Sequence, residues 1–178
     1  MPLPFLPPAR PRLTKEKVEA MAREAGVTAS VYLVGVRGYY HDDHAQNDRG
    51  IYDDAMFLVS PQNFVSFNAN VDPSVARKGI AKLKAGVWLY QLGIHGLSRP
   101  KKQQYRALVQ AAVVTVIRDG QGPDTGMFGI NIHRGGIGTT SSLGCQTIPP
   151  AQWDAFIALV QREMHFYGQN KITYLLTE

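Results

Sequence analysis

The sequence predicts a mainly β domain with flanking helices, which belongs to the α+β class. Of the 178 residues, 44% are hydrophobic, so the chain can bury a stable core and is not expected to be disordered. Short runs of β-branched and aromatic residues outnumber the segments with helical spacing. Strands and helices do not alternate in long parallel units, so we expect a mostly antiparallel sheet or sandwich against which a C-terminal helix packs.

Two helices are marked by their ends. Thr14 can cap a helix over residues 15–25, and Gly26 can end it. A second helix is predicted over residues 150–166, because its first residue is a proline, which suits the first helical position, and apolar side chains recur on one face. A weaker pattern of apolar residues predicts a third helix over residues 101–112.

Seven segments rich in β-branched and aromatic residues predict strands, each bounded by residues that favour turns. These strands are expected at residues 31–35, 55–60, 64–68, 87–92, 112–118, 127–133 and 172–176. No internal repeat or linker interrupts this series. We therefore expect a single domain over residues 14–178.

Residues 1–13 hold five prolines and are expected to form an extended arm that packs on the domain or stays loose. The arm lacks the charged start and uninterrupted apolar stretch of a signal peptide. No apolar run approaches the roughly 20 residues of a membrane span. We therefore expect a protein that is cytoplasmic as synthesised. The single cysteine argues against a disulfide framework and a multi-cysteine zinc site.

Charge is unevenly distributed along this chain of net charge +5. Residues 73–118 carry nine basic side chains and no acidic one, whereas residues 41–54 carry five aspartates and one arginine. Two solvated faces of opposite sign explain this pattern. A basic surface that attracts a polyanion, such as a cell envelope or nucleic acid, explains it equally well.

The stretch from His133 to Cys145 is the strongest candidate for catalysis. His133 ends a predicted strand, and a glycine-rich loop leads through Ser142 and Gly144 to Cys145. Open backbone N–H groups beside a glycine can stabilise an oxyanion, and the histidine can lower the pKa of the thiol by ion pairing and later protonate a leaving amine. A buried structural cysteine and a glycine-rich turn are the plain alternatives.

The order His133, glycine-rich loop, Ser142-Leu143-Gly144-Cys145 resembles the L,D-transpeptidase catalytic domain, whose motif is His…Ser-His-Gly-Cys. Residues 55–67 and 79–90 are similar to landmarks of that family, so the resemblance extends from about residue 51 to the C-terminus. It implies an L,D-transpeptidase-like sandwich or sheet packed by the C-terminal helix. It also implies a cysteine enzyme that acts on peptide bonds of murein and needs no cofactor.

The resemblance also implies a role for each matching residue. Cys145 would form a thioester, His133 would act as general base and acid, and the N–H of Cys145, shaped by Gly144, would bind the oxyanion. Candidates for the group that orients His133 are Ser141, Ser142, Asn131 and a backbone carbonyl. The expected substrate-binding residues are Arg134, Ser141, Asn131, Thr147 and Trp88. Leu143 replaces the second histidine of the motif, and Thr147 replaces an arginine that commonly holds the peptide stem; Arg134 is the expected substitute.

The expected cytoplasmic location of the newly made protein favours hydrolysis of peptidoglycan over cross-linking. A murein enzyme that lacks an export signal fits a phage or prophage endolysin, which reaches the cell wall when the host lyses. It also fits a recycling enzyme for imported fragments. In a lysin, the basic stretch at residues 73–118 would hold anionic cell-envelope polymers.

Two other classes of function stay open from the sequence. His41, His44 and Asp48, with His95 or His133, could bind a divalent metal ion in a hydrolase, although their spacing matches no strong zinc motif. The chain could instead be a binding module for cell wall or nucleic acid, with Trp88, Tyr90 and Tyr105 as stacking surfaces. Nucleic acid is the weaker of these, because no known nucleic-acid motif is present.

Overall fold

The structure is a computed structural model that describes residues 2–43 and 46–178. In these ranges the chain forms two α-helices, α1 (Lys15–Glu24) and α2 (Pro150–Phe166), and a 3₁₀ turn at Lys101–Gln103. The strands are β1 (Tyr32–Val36), β2 (Asp54–Val59), β3 (Phe64–Ala69), β4 (Ala81–Leu83), β5 (Gly86–His95), β6 (Tyr105–Gln110), β7 (Val114–Arg118), β8 (Gly122–Gly126), β9 (Ile132–Arg134), β10 (Gln146–Ile148) and β11 (Ile172–Thr177).

The predicted α+β class is confirmed by a mainly β architecture. Eight strands form one sheet in the order β10-β9-β6-β5-β11-β1-β2-β3, and β4, β7 and β8 form a second, smaller sheet. Most neighbours are antiparallel, while β1 with β11 and β9 with β10 are parallel. A bridge between Asn70 and Thr147 joins the two ends of the large sheet, which is therefore nearly closed.

The large sheet is buried on both faces because its central strands alternate side chains between two apolar cores. On one face Met56 and Leu58 pack with the apolar side of α2. On the other face Phe57 and Val59 pack with α1. Helix α2 crosses β3, β9 and β10, so it supports the region where the sheet closes.

The helix predicted over residues 101–112 is wrong. After the 3₁₀ turn, this segment forms strand β6, which pairs with β5 over six residues from Tyr90–Gln110 to His95–Tyr105. Its apolar residues fit the alternation of a strand as well as helical spacing. Ladder hydrogen bonds to the long strand β5 outweigh the weak local preference for a helix.

The strand predicted over residues 127–133 is mostly irregular, and only its end belongs to β9. Gly129 has a φ of 69°, which interrupts an extended chain. The side-chain carbonyl of Gln110 accepts the N–H groups of Phe128 and Ile130 at 3.1 and 2.7 Å, respectively. One side chain thus satisfies backbone donors that a sheet ladder would otherwise bind.

The described part of the N-terminal arm, residues 2–13, lies extended against the domain. The N–H of Tyr52 donates to the carbonyl of Phe5 at 2.8 Å, and the two rings meet edge to face. Arg10 lies over the ring of Phe67 and donates to the carbonyl of Ser66. Among the described residues, no helix is both long enough and apolar enough to cross a membrane.

Candidate active site

Parallel pairing of two short strands places the predicted nucleophile and base side by side. Strand β10 begins one residue after Cys145, and its Thr147 is in register with His133 on β9. This register sets Cys145 beside Asn131, two residues before the histidine. Cys145 and His133 both line one cavity of about 480 Å³. The structure therefore brings together the two residues on which the predicted chemistry depends.

The thiol of Cys145 lies between two backbone groups of the irregular segment before β9. Its Sγ accepts the N–H of Asn131 at 3.3 Å and lies 3.4 Å from the carbonyl of Gly129, to which the S–H can donate. Burial raises the pKa of the Cys145 thiol, and the N–H of Asn131 offsets this only in part. The resting group is therefore a neutral thiol.

His133 is held as a neutral imidazole of defined tautomer. Its Nδ1 lies 2.8 Å from the carbonyl of Arg134, which can only accept, so Nδ1 carries the proton and Nε2 keeps a lone pair. Burial and the adjacent His95 lower the pKa of His133 to about 4. Burial disfavours the charged form of both groups, so a neutral thiol beside a neutral imidazole is the resting arrangement rather than the ion pair that the sequence also allows.

The orienting group is a backbone carbonyl, one of the four candidates expected from the sequence. Arg134 supplies it, and the hydroxyl of Tyr105 also approaches this carbonyl at 3.4 Å. Asn131 contacts the thiol through its backbone. Ser141 and Ser142 have no hydrogen bond to the imidazole among the residues that the structure describes.

His95 and Tyr105 are site residues whose role the sequence does not reveal. His95 stacks on His133 with ring centroids 4.1 Å apart and planes inclined by 22°. Its register partner across β5 and β6 is Tyr105, whose hydroxyl lies 3.4 Å from Nδ1 of His133. From the sequence, His95 is only a possible metal ligand and Tyr105 only a possible stacking surface, and neither pattern places them beside His133.

Ser142 holds the backbone around the nucleophile. The side chain is buried, and its Oγ accepts the N–H of Gly144 at 3.0 Å while donating to the carbonyl of Cys145 at 2.6 Å. Gly144 has a φ of 137°, and a Cβ at this position would lie 2.7 Å from the carbonyl oxygen of Ala81. The N–H of Cys145 forms no hydrogen bond among the described residues.

Replacing Ser142 by alanine is expected to destabilise the fold by about 1–3 kcal/mol, because it leaves the Gly144 N–H and the Cys145 carbonyl without their partner. Urea unfolding of the variant measures this loss. The matched Ser141→Ala variant removes an exposed hydroxyl and is expected to change the free energy of unfolding by less than about 0.5 kcal/mol. Equal effects of the two substitutions would contradict the bracing role of Ser142.

Three cationic side chains line the cavity. They are Arg99, Lys102 and Arg134, and no carboxylate is among its described lining residues. The guanidinium of Arg134 lies over the ring of Tyr105 at 4.7 Å, which fixes its position. Ser141 also lines the cavity, with a φ of 56°. Arg134 and Ser141 are therefore placed where a substrate can contact them, and an anionic group is favoured there.

Three expected substrate-binding side chains, those of Asn131, Thr147 and Trp88, do not line this cavity. Thr147 is fully buried at the closing bridge and accepts from the Asn70 amide at 3.4 Å. Trp88 lies seven residues before His95 on β5, a span of roughly 23 Å along a strand. Its indole N–H donates to the carbonyl of Lys84. Neither Thr147 nor Trp88 belongs to the site.

The predicted metal ligands separate into two places. His41 and Asp48 lie together with Asp53, whereas His95 and His133 line the cavity of Cys145. His44 falls outside the described residues. The stacking surface suggested for nucleic acid is also not formed, since Tyr90 is fully buried and Arg134 covers the ring of Tyr105.

Comparisons with family models, curated proteins and solved structures give no match to this chain. The fold and the geometry around Cys145 are therefore the basis for assigning a class: a mainly β domain with a cysteine–histidine pair in a cationic cavity.

Proposed function

We propose that the protein is a cysteine enzyme that acts on peptide bonds of peptidoglycan, hydrolysing them in preference to cross-linking. The observation that carries this proposal is the shared cavity of Cys145 and His133, in which the lone pair of His133 Nε2 is left free by the bond from Nδ1 to the Arg134 carbonyl. A neutral thiol beside a neutral, oriented imidazole is suited to general-base activation of the nucleophile.

The first half of the proposed reaction forms a thioester. His133 Nε2 takes the proton of the Cys145 thiol as the sulfur attacks the carbonyl carbon of the substrate amide. The N–H of Cys145 stabilises the oxyanion of the tetrahedral intermediate. As the carbon–nitrogen bond breaks, the imidazolium returns the proton to the leaving amine. The peptide is then an acyl group on sulfur, and His133 is neutral again.

The second half releases the acyl group. His133 takes a proton from water, the hydroxyl adds to the thioester carbonyl, and the carbon–sulfur bond breaks. The leaving thiolate regains a proton from the imidazolium, which regenerates the site and yields a carboxylic acid. An amine in place of water would yield a cross-link by the same steps.

The cationic lining of the cavity supports the choice of substrate. Peptidoglycan stem peptides carry free carboxylates, and Arg99, Lys102 and Arg134 line the cavity. The same proposal includes a wall-degrading role in cell lysis, for which the basic residues between positions 73 and 118 supply attraction to anionic envelope polymers.

Incubation of the protein with purified peptidoglycan, followed by mass spectrometry of the released fragments, tests this function. New fragments are expected with untreated protein, none after alkylation of the thiol by iodoacetamide, and undiminished amounts with a chelator. Addition of the elements of water to each cleaved bond identifies hydrolysis. Products that persist after complete alkylation but vanish with chelator would refute the cysteine mechanism, and unchanged peptidoglycan would refute the substrate class.

A further inference from the structure

A second group of ionisable side chains lies outside the cavity of Cys145. His41 Nε2 is 2.7 Å from Asp53 Oδ2 and 3.9 Å from Asp48 Oδ2. One potential ligand atom from each of these three residues lies within 4.8 Å of the others. All three residues lie in the chain between β1 and β2, and Asp53 is the last residue before β2.

Asp53 is the most deeply buried residue of this group. Its side chain is fully buried, and its Oδ2 accepts both His41 and the N–H of Asp48 at 2.8 Å. Its Oδ1 is also buried, yet it has no hydrogen-bond partner among the described residues. A buried carboxylate oxygen without a donor is costly, so the Asp53 carboxylate, which faces His41 and Asp48 through Oδ2, has unused capacity for a further partner.

The surrounding charge favours a cation as that partner. Two more carboxylates are fully buried nearby. Asp54 is the next residue in the chain, and Asp72 is close enough in the fold to act on the charge of Asp54. Asp54 is satisfied by the backbone N–H groups of Gly38 and Val71, which bring no net charge. Arg37 faces Asp72 at 3.4 Å but is shared with Glu178. Among the described residues, Arg37 is the only arginine that forms an ion pair with any of these three carboxylates, and it reaches Asp72 alone.

We propose that His41, Asp48 and Asp53 bind one divalent transition-metal ion, with Zn²⁺ as the best match, and that the ion ties the chain before β2 to the body of the domain. One imidazole nitrogen and two carboxylate oxygens are a ligand set that suits Zn²⁺, with solvent as a fourth ligand. Ligand atoms about 2.1 Å from a tetrahedral ion lie roughly 3.4 Å apart, between the two separations seen here.

Binding of the ion exchanges one proton for the metal. His41 gives up its Nε2 proton to solvent, and the metal takes the place of that proton between the imidazole and Asp53. The ion can enter from solvent on the side of Asp48, whose side chain is 60% exposed. The side chain of His41 is only 10% exposed and lies on the inner side of the group. Ca²⁺ and Mg²⁺ prefer sets of oxygen ligands only, so the histidine disfavours them.

Calorimetric titration of the full chain with Zn²⁺, together with its thermal unfolding, tests the site. We expect one ion per chain and a higher melting temperature in its presence. Asp48→Asn and His41→Gln are each expected to weaken binding at least about tenfold. Asp48→Asn keeps the fold, because the hydrogen bond to Asp53 comes from its backbone. The neighbouring Asp42→Asn variant, which alters an exposed carboxylate outside the three ligands, is expected to bind as the parent does.

A Co²⁺ titration distinguishes this site from the cysteine cavity. Ligation by His41 and two aspartates is expected to give d–d absorption with no sulfur-to-cobalt charge-transfer band. Such a band, or loss of binding in Cys145→Ser, would overturn the proposal, as would Zn²⁺ binding that is absent or is unchanged by His41→Gln and Asp48→Asn. Tighter binding of Ca²⁺ or Mg²⁺ than of Zn²⁺ would overturn the choice of metal. Because neither readout uses catalysis, failure of the proposed enzyme function leaves this test intact.

Discussion

Replacing Cys145 by alanine is expected to lower the rate of peptidoglycan cleavage at least about 10⁴-fold, because no other group in the cavity can form the thioester. The fold should survive. The thiol makes only two long backbone contacts, so the free energy of unfolding is expected to change by about 1 kcal/mol. Single-turnover assays of fragment release and urea unfolding measure the two effects separately.

The control for this substitution lies in the same loop. Ile137 is 86% exposed and does not line the cavity, so Ile137→Ala is expected to retain the parental rate. Intact-protein mass spectrometry adds a second readout, since the parent should carry an acyl adduct on Cys145 during turnover. Cleavage that survives in Cys145→Ala at the parental rate would exclude the cysteine as nucleophile.

Acid is expected to destabilise the protein through His133. The pKa of His133 is about 4 in the folded chain, whereas an unfolded histidine has a pKa near 6.5, so the unfolded state binds the proton first. The contribution of neutral His133 to the free energy of unfolding is therefore fully present above about pH 6.5, and it is lost as the pH falls towards 4. By pH 4 this one group is expected to remove about 3 kcal/mol of the free energy of unfolding.

Urea unfolding at pH 7 and pH 4, in parallel for the parent and His133→Asn, measures this contribution. Asparagine can still donate to the Arg134 carbonyl but does not titrate, and other acid-sensitive groups are common to both chains. The parent should therefore lose about 3 kcal/mol more than the variant between the two pH values. Equal losses would show that His133 is not held neutral by burial.

The most regular parts of the fold are predictable because their signals are local. Helix α2 is predicted with its observed ends, since a proline marks its first residue and Gly168 follows its last turn. Strand β2 is predicted by its run of apolar residues. Strands β4 and β10 are only three residues long and lack such a pattern, so their pairing emerges only from tertiary contacts.

The site is predictable to the extent that it lies within one stretch of chain. The stretch from His133 to Cys145 is thirteen residues long, and a single loop joins its two ends. His95 and Tyr105 reach His133 through the register of β5 with β6, which no local pattern specifies. The protonation states of the thiol and the imidazole depend on burial by the surrounding fold, which the sequence does not specify.

The near closure of the large sheet has a mechanical consequence for catalysis. Strand β9 is joined to β6 through a single residue pair, Leu108 with Ile132, and β10 meets the opposite end of the sheet at the one bridge between Asn70 and Thr147. The short ladders therefore do little to hold the two strands that carry His133 and lead from Cys145. Their buried side chains hold them instead, because Ile132 on β9 and Ile148 on β10 are both fully buried in the core that packs against α2. The alignment of Cys145 with His133 thus depends on side-chain packing, and a cavity left in this core would loosen the pair without touching either residue.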